Sequence, residues 1–480
     1  MTDASIVGAG PNGLAAAVIL ARAGLEVTVF EANDSIGGGA RTREISAGFR
    51  HDWGSAVHPM ALASPFFRAF ALADRIPFVT PEVSYGHALG GERAAIAWRD
   101  LERTADALGA DGNAWRRLFE PLVARGEKLT EFALSAMLPI PQHPLVFPAF
   151  ATRVLRAGTF LHSSMFAHDA APALLAGVIA HSVSRMPSMA ATAPGLVLAT
   201  LAQSTGWPIP RGGTQAITDA LASDARSHGA RIETGHPIAR IEELRQSRVV
   251  LFDTDPAQLA GIAGERLAPS YARALRRFAH GNAASKVDFE LSEPVPWANA
   301  DLHRAGTVHL GGTWNEVAGA ENVIARGQYP QNPYVLVSQP TTHDPSRAPA
   351  GRHTLWTYTH VPAGSDRDMT ETIVGRIEQY APGFRDIVVR SLATPANEIA
   401  AGDAAMVGGD FAGGAISLRQ LLARPVLSNN PWRAGVGIYL CSASTVPGPG
   451  VHGMGGYHAA RHALREVFGR DMPSLAPHAG

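Results

Sequence analysis

The chain is poor in cysteine, in charged residues and in long apolar runs. Its 480 residues include one cysteine, so no disulfide can form within the chain and nothing points to an oxidising compartment. The formal net charge is −1, without the basic excess that is typical of nucleic-acid-binding proteins. The apolar runs fall short of the roughly 18 residues of a membrane-spanning helix, and no basic stretch precedes the first of them as in a signal peptide. We therefore expect a cytoplasmic protein that does not bind nucleic acid.

The composition is that of a globular protein with room for an apolar cavity. Hydrophobic residues make up 46% of the chain and charged residues 17%, and the length exceeds that of one ordinary domain. Over 64–205 apolar residues recur at helical spacing and charge becomes scarce, above all over 134–205. This pattern predicts a helical region that is buried, lines an apolar cavity or touches a membrane surface.

Outside that region, helical and strand patterns alternate. Strands are predicted at Ala4–Val7, 26–30, 231–234, 249–253, 285–291, 334–339, 353–360 and 437–442, and helices at 14–23, 212–228, 371–380 and 455–468. The aromatic and β-branched residues between 285 and 360 predict a mixed sheet in a second domain.

The motif with the clearest chemistry is Gly-Ala-Gly-Pro-Asn-Gly at 8–13. It follows the first strand and opens the first helix, and the next strand leads into an acid, Glu31. In such a turn Gly8 permits the sharp bend, Gly10 lets the backbone approach a pyrophosphate, and Gly13 allows helix and strand to pack closely. The helix N-terminus attracts phosphate, and Glu31 can accept hydrogen bonds from a ribose hydroxyl. The combination predicts a dinucleotide-binding βαβ unit for either NAD or FAD.

Two further glycine-rich elements favour FAD. Gly-Gly-Gly-Ala-Arg-Thr occupies 37–42, and a longer element runs from 437 to 456. With these elements the chain resembles the phytoene desaturase-like FAD oxidoreductases over nearly its whole length. The resemblance implies FAD as cofactor and an α/β fold, in which a Rossmann-like FAD-binding domain is interleaved with an α+β substrate domain of mixed sheet and helices. It places the FAD-binding domain at 1–63, 206–270 and 395–480, and the substrate domain at 64–205 and 271–394.

The resemblance also assigns roles to individual positions. It implies that Gly8, Gly10 and Gly13 meet the pyrophosphate, that Glu31 meets the adenosine ribose, and that Ile238 lies near adenine. The residues expected along the phosphates, the ribityl chain and the flavin ring are Gly38, Gly39, Arg41, Thr42, Gly54, Ser55, Ala56, Val57, Ser444, Gly450, Val451 and His452.

A second GxGxxG match, at 448–453, also follows a strand and precedes a helix. No strand ending in an acid follows it. It is interpreted as a helix N-terminus whose partial positive charge faces the flavin ring. The sequence therefore predicts one dinucleotide fold, no separate NAD(P) domain, and oxygen or a quinone as the electron acceptor.

Three residues are candidates for proton transfer beside the flavin. Lys286 begins a strand, and in related amine-oxidase-type flavoproteins a lysine in a similar setting lies near flavin N5; pairing with Asp288 or Glu290 at a strand surface is the structural alternative. His452 and His58 can move a proton at neutral pH, with hydrogen bonding to backbone as their alternative. The 19 histidines form no HxxEH pattern and one cysteine cannot form a CxxC pair, so no metal site is predicted.

Flavin-dependent dehydrogenation of a carbon–carbon bond is the leading hypothesis. One C–H bond would give a hydride to flavin N5 and its neighbour a proton. A charge-poor helical domain suits an apolar small molecule, either an isoprenoid or carotenoid-like polyene or an alicyclic ketone or acid. Saturation or isomerisation within the same family, a flavin amine oxidase, and a non-catalytic FAD-stabilised interaction protein stay open. Contact of 135–205 with the inner face of a membrane is also open, and the oligomeric state is unknown.

Overall fold

Two large β-sheets organise the computed structural model, which describes residues 2–138 and 143–477. The strands are β1 (Ala4–Val7), β2 (Val27–Phe30), β3 (Thr42–Ser46), β4 (Phe49–Asp52), β5 (Phe78–Val79), β6 (Val83–Gly90), β7 (Arg93–Trp98), β8 (Ile209–Pro210), β9 (Arg231–Glu233), β10 (Val249–Phe252), β11 (Ala283–Leu291), β12 (Ala305–Leu310), β13 (Val335–Ser338), β14 (His353–Val361), β15 (Val388–Thr394), β16 (Arg433–Gly435) and β17 (Ile438–Leu440). The short strands β3 with β4 and β5 with β8 form two small ribbons beside the sheets.

The first sheet has the order β16–β17–β10–β1–β2–β9. Its neighbours pair in parallel, apart from the antiparallel edge strand β16. β1 and β10 are buried along their whole length, because a parallel sheet in an α/β protein is covered on both faces. This sheet and the helix between β1 and β2 confirm the predicted Rossmann-like fold.

Helices cover both sheets. They are α1 (Pro11–Arg22), α2 (Pro65–Ala69), α3 (Leu72–Arg75), α4 (Leu101–Ala107), α5 (Gly112–Val123), α6 (Gly126–Ala133), α7 (Val146–Ala157), α8 (Ala170–Ile179), α9 (Met189–Ala202), α10 (Gln215–Ser227), α11 (Pro256–Ala263), α12 (Pro269–Leu275), α13 (Trp314–Ile324), α14 (Pro340–His343), α15 (Thr370–Glu378), α16 (Phe384–Ile387), α17 (Ala396–Gly402), α18 (Leu418–Leu422) and α19 (Met454–Ala463). Within the described residues, no helix is both long and apolar enough to cross a membrane.

Helices α1 and α19 begin side by side at the carboxyl edge of the first sheet. The Gly455 N–H donates to Asn12 Oδ1 at 3.1 Å, and a Cβ on Gly456 would lie 1.8 Å from the Asn12 carbonyl oxygen. Only glycine therefore permits this approach at 456. The two helix N-termini face the same edge of the sheet, where ligands bind in open α/β sheets.

The second sheet has the order β15–β11–β14–β13–β12–β6–β7 and is antiparallel except between β12 and β6. Val287 and Phe289 of β11 pack in a core with Phe384 of α16. Lys286 lies on the opposite face because side chains alternate along a strand. On that face, Trp356 belongs to a second core that includes residues of α5 to α9. The sheet confirms the mixed sheet predicted between 285 and 360.

One secondary-structure prediction was wrong in part. The region 64–205 holds α2 to α9 as expected, but it also contributes β6 and β7 to the second sheet. Val83–Gly90 has six consecutive buried residues, so it lacks the alternation that marks a half-exposed strand. Elsewhere the boundaries differ by a few residues. The first helix begins at Pro11, since proline fits the first helical turn, and the last α-helix ends at Ala463 before a π-helical turn, Leu464–Phe468.

Candidate functional site

A cavity of about 490 Å³ connects the carboxyl edge of the first sheet to one face of the second. From the first sheet and its turns, Gly8, Gly10 and Glu31 line it, and from the second sheet Lys286 and Trp356 do so. The predicted dinucleotide turn and the second sheet therefore share one binding space.

The turn after β1 is built so closely that it requires glycine. Gly8 has a φ of 99°, and a Cβ there would lie 2.5 Å from the Asp253 carbonyl oxygen. A Cβ on Gly10 would lie 2.6 Å from Asp253 Oδ2, and one on Gly13 would lie 2.2 Å from the Gly8 carbonyl oxygen. The backbone at the start of α1 is thus packed against β10, as expected for a phosphate-binding turn.

Glu31 lies immediately after β2 and lines the cavity. Its Oε2 accepts a hydrogen bond from the Ala9 N–H at 2.8 Å, and its Oε1 accepts from the backbone N–H and the amide of Asn33, both at 2.9 Å. These bonds hold the carboxylate against the glycine turn. The position suits recognition of a ribose hydroxyl beside a pyrophosphate.

Two buried acids lie beside the turn, and neither was predicted as a site residue. Asp253 follows β10, accepts from the Gly13 N–H at 2.7 Å and lines the cavity. Burial raises the pKa of Asp253 to about 7, and Asp403 and Glu31 add to the rise. Burial also raises the pKa of Asp403, which lines the cavity as well. The turn therefore meets an acidic wall in which the charge of Asp253 depends on pH near neutrality.

Most residues predicted along the cofactor line the cavity. They are Gly8, Gly10, Glu31, Gly38, Gly39, Gly54, Ser55, Ala56, Val57, Ile238, Ser444, Gly450 and Val451. The predicted residues Gly13, Arg41, Thr42 and His452 lie outside this lining. The Arg41 guanidinium donates to the carbonyls of Gly38 at 2.7 Å and Gly402 at 2.6 Å, and the Thr42 hydroxyl donates to Asp52 Oδ1 at 2.6 Å. In this structure Arg41 and Thr42 support the cavity wall, and their cofactor contacts stay predictions.

Lys286 lines the cavity and forms the predicted ion pair. It is 4% exposed and donates to the carboxylate of Asp288 on the same strand. His51 Nδ1 lies 3.3 Å from the other oxygen of Asp288. Burial alone would raise the pKa of Asp288, but Lys286 and His51 hold it below its ordinary value. The ion pair is therefore buried, whereas the structural alternative had placed it at a strand surface. Its carboxylate is ionised and holds the lysine in place.

His58 lines the cavity, and its hydrogen bonds define its tautomer. Its Nε2 lies 2.8 Å from Thr214 Oγ1, and the Thr214 hydroxyl donates to the Ser55 carbonyl at 2.6 Å. Because that hydroxyl proton is already used, His58 Nε2 is the donor, and Nδ1 of the neutral ring carries no proton. Burial lowers the pKa of His58 to about 4, so the ring is neutral at pH 7.

His452 uses both ring nitrogens for the glycine-rich turn before α19. Its Nε2 lies 3.2 Å from the Gly448 carbonyl oxygen, and its Nδ1 accepts from the Met454 N–H at 3.0 Å. Burial lowers the pKa of His452 to about 4. The ring fastens the turn to the helix, which is the structural alternative considered for this residue.

Aromatic and apolar side chains line the cavity on the face of the second sheet. Trp356 and Tyr358 meet edge to face with ring centroids 5.3 Å apart, and Phe411 lies 5.6 Å from Tyr358. Trp207 and Leu198 also line the cavity. This surface suits an apolar ligand. Within 2–138 and 143–477, no group of three or more histidine, cysteine, aspartate or glutamate side chains is placed to hold a metal ion.

Some lining residues were missed because they come from distant segments. Asp253 had a usable signal, since it ends a buried strand of a parallel sheet and such ends meet at one edge. Trp356 and Tyr358 were predicted as strand residues that share a face by alternation, but their place in the cavity follows only from the pairing of β14 with its neighbours. His181 lines the cavity from a turn after α8 and had no motif around it.

Comparison with known proteins identifies a flavoprotein family, in agreement with the dinucleotide-binding turn. The model of the family "Flavin containing amine oxidoreductase" matches residues 12–453. The rat "Pyridine nucleotide-disulfide oxidoreductase domain-containing protein 2" is 28% identical, over 97% of this chain and 94% of the relative. "Phytoene dehydrogenase" of Streptomyces griseus is 28% identical, over 72% of this chain and 70% of the relative.

A solved structure shares the fold at much lower identity. A variant of putrescine oxidase superimposes with a TM-score of 0.62 at 16% identity, covering 98% of this chain and 99% of that one. A likeness at that identity shows the fold alone. The family match covers most of the chain, including the glycine-rich element before α19, and it implies a flavin cofactor. The chain belongs to the flavin-containing amine oxidoreductase family.

Proposed function

We propose that this protein is an FAD-dependent oxidoreductase that dehydrogenates a CH–CH bond of an apolar small molecule. The observation that carries the proposal is the continuity of one cavity, from the glycine turn and Glu31 to the aromatic face that includes Trp356 and Tyr358. A dinucleotide and an apolar substrate would meet end to end in such a space.

The residues present fit FAD. The turn at Gly8 and Gly10 has no room for side chains, and Glu31 stands beside it in the cavity wall. Ile238 would lie by the adenine, and Ser55 and Gly450 by the flavin; all three line the cavity. When bound, FAD supplies the hydride acceptor, and the protein supplies binding, orientation and control of protons.

Two residues are proposed to manage protons at the reacting end. Lys286 is held as an ammonium donor by Asp288, so it can orient a polar atom of the substrate or the cofactor. His58 is neutral at pH 7 with an unprotonated Nδ1, so it can accept a proton. His452 is not retained for this role, because both its ring nitrogens hold backbone groups.

Oxygen or a quinone is proposed as the electron acceptor. The second glycine-rich turn leads into α19, which packs against α1 within the same sheet-and-helix unit. The described residues thus use that turn to complete the first dinucleotide fold. Reduction of the bound flavin by NADPH should therefore be slow in stopped flow, and rapid reduction would overturn this part of the proposal.

Peripheral contact with a membrane is proposed for the segment around α7. Leu145 is 89% exposed and Phe160 is 79% exposed, and Phe147 and Leu155 are also exposed. Large apolar side chains grouped in this way on a protein surface favour an interaction site.

Anaerobic flavin reduction by a substrate panel tests the function. The panel contains isoprenoids and carotenoid precursors, saturated cyclic ketones and acids, and amines. We expect bleaching of the flavin band at about 450 nm with one of the CH–CH substrates. Bleaching by amines alone would identify an amine oxidase instead. Bound flavin that no compound reduces would contradict the proposal and favour a saturase, an isomerase or a non-catalytic protein.

A further inference from the structure

Three buried histidines lead away from the cavity into the second sheet. His181 lines the cavity, and its Nε2 lies 2.9 Å from His309 Nε2. His87, on the neighbouring strand β6, has its Nε2 2.7 Å from the Gly312 carbonyl oxygen. The side chains of His87 and His309 are fully buried, and their Nδ1 atoms have no hydrogen-bond partner among the described residues.

The two unpartnered nitrogens converge on Gly177 of α8. The point where a Cβ on Gly177 would lie is 2.4 Å from His87 Nδ1 and 2.5 Å from His309 Nδ1. Glycine at this position therefore leaves the two nitrogens facing the same point, with no side chain between them. A buried nitrogen without a partner is costly. The two Nδ1 atoms are not hydrogen-bonded in this structure, but a small rotation of the rings would form one N–H···N bond that satisfies both.

With that bond formed, the proton positions of the three rings follow from the carbonyl of Gly312. A carbonyl only accepts, so His87 Nε2 carries a proton and His87 Nδ1 of the neutral ring is an acceptor. His309 must then donate from Nδ1 and accept at Nε2. His181 in turn donates from Nε2, which leaves its Nδ1 without a proton. The three rings are neutral because burial lowers the pKa of His87 to about 4 and of His181 to about 3, and that of His309 well below its ordinary value.

His181 Nδ1 is the atom that this network presents to the cavity. It has no hydrogen-bond partner among the described residues, and it does not belong to the buried unpartnered atoms, unlike the Nδ1 atoms of His87 and His309. Its surroundings are aromatic, since the Trp207 ring lies edge-on at 5.6 Å between centroids and also lines the cavity. A neutral acceptor in such a setting selects a neutral donor.

We propose that His181 Nδ1 accepts a hydrogen bond from a hydroxyl group of the substrate, so that the enzyme selects an apolar alcohol over its ether or hydrocarbon. The inference rests on the proposed function in one respect, because it takes the cavity as the substrate site. His309 and His87 are positioning residues that hold His181 in the accepting tautomer.

Ligand affinity of the FAD-loaded protein tests the inference. Geraniol, its methyl ether and the corresponding hydrocarbon are titrated anaerobically, and binding is read from the perturbation of the flavin absorption spectrum. We expect geraniol to bind about tenfold more tightly than the ether, which accepts but does not donate a hydrogen bond. The ether and the hydrocarbon should bind alike. Equal affinity of geraniol and the ether, or tighter binding of the ether, overturns the proposal.

Variants separate recognition from positioning. His181→Phe should remove the preference for geraniol while the hydrocarbon binds as in the wild type. His309→Phe should weaken the preference because His181 is no longer held in one tautomer. His162→Phe is the matched control, since His162 stacks on Trp314 away from the cavity lining, and it should keep the full preference. Persistence of the preference in His181→Phe contradicts the proposal.

The outcomes are distinguishable from a failure of the proposed function. The wild-type comparison needs no variant to fold, and it measures binding and not turnover. A protein that is reduced by a CH–CH substrate but shows no preference for the alcohol loses this inference alone. A protein that prefers the alcohol but is reduced by no substrate keeps the recognition site and loses the proposed reaction.

Discussion

Lys286 donates to the carboxylate of Asp288, two residues along the same strand, with both side chains buried on the face of the sheet that carries Trp356. Strand alternation places the two residues on one face, and the opposite face packs in the core. The carboxylate lets the lysine stay charged out of water.

Asp288→Asn should therefore leave a buried cation without its counter-charge. We expect the free energy of unfolding to fall by about 3 kcal/mol, since breaking a buried pair from one side is strongly destabilising. Urea unfolding at pH 7 measures the change. Glu371→Gln at the exposed pair with Arg385 is the control and should leave the free energy of unfolding near the wild-type value.

The pair of Lys286 and Asp288 also predicts that the free energy of unfolding depends on pH. The pKa of Asp288 is held below its ordinary value of 3.8 in the folded protein. Its contribution to stability is therefore present above pH 3.8 and is lost as the pH falls through the lower, folded pKa. The difference between wild type and Asp288→Asn should be full at neutral pH and shrink in acid. A difference that stays constant down to pH 2 would contradict this prediction.

His280 lies between two carboxylates. This arrangement predicts that the stability of the protein falls at alkaline pH. Its Nε2 lies 3.0 Å from Asp255 Oδ2 and its Nδ1 3.5 Å from Asp410 Oδ2. The neighbouring carboxylates, Asp255 first and Asp410 second, raise the pKa of His280 to about 9. The stabilisation by charged His280 is complete below pH 6.5, the ordinary pKa of histidine, and is lost as the pH rises through about 9. His280→Gln should lower the melting temperature more at pH 6 than at pH 9.5, and an equal loss at both would refute the link.

Gly13→Ala tests the glycine turn at the start of α1. A Cβ at this position would lie 2.2 Å from the Gly8 carbonyl oxygen, so the turn must shift. We expect flavin to be lost from the purified protein and stability to fall by about 1–3 kcal/mol. Gly319→Ala in α13 is the matched control, because its Cβ would meet nothing within 4 Å. Flavin content equal to the control would show that the turn does not hold the cofactor.

The exposed apolar group around α7 predicts binding to lipid. The triple variant of Phe147, Leu155 and Phe160 to serine should lose co-sedimentation with liposomes, because these side chains supply the apolar area. Val436→Ser removes an 81% exposed apolar side chain elsewhere and should bind as the wild type does. A wild-type protein that stays entirely in the supernatant would exclude the proposed membrane contact.

Local patterns account for what could be predicted from the sequence. The spacing of Gly8, Gly10 and Gly13 between a strand and a helix identifies the first βαβ unit, and Glu31 follows from the next strand. Both features depend on neighbouring residues alone. The mixed sheet could be predicted for the same reason, because its strands are rich in β-branched and aromatic residues.

What could not be predicted depends on pairing between distant segments. β6 is buried along most of its length, so its sequence shows no alternation, and its place beside β12 comes from tertiary packing. The meeting of His181 with His309 joins residues 128 positions apart. Lys286 illustrates the intermediate case, since the predicted ion pair with Asp288 is present, but the burial of the pair became visible only in the fold, and the role beside the flavin stays a prediction.

Product analysis after a single anaerobic turnover tests the central claim most directly. The flavin-loaded protein is mixed with the substrate that bleaches its flavin band, and the released product is identified by mass spectrometry. The account predicts a product that lacks two hydrogen atoms and carries a new carbon–carbon double bond, with one product formed per flavin reduced. A product oxidised at nitrogen, or an unchanged substrate beside reduced flavin, would contradict it.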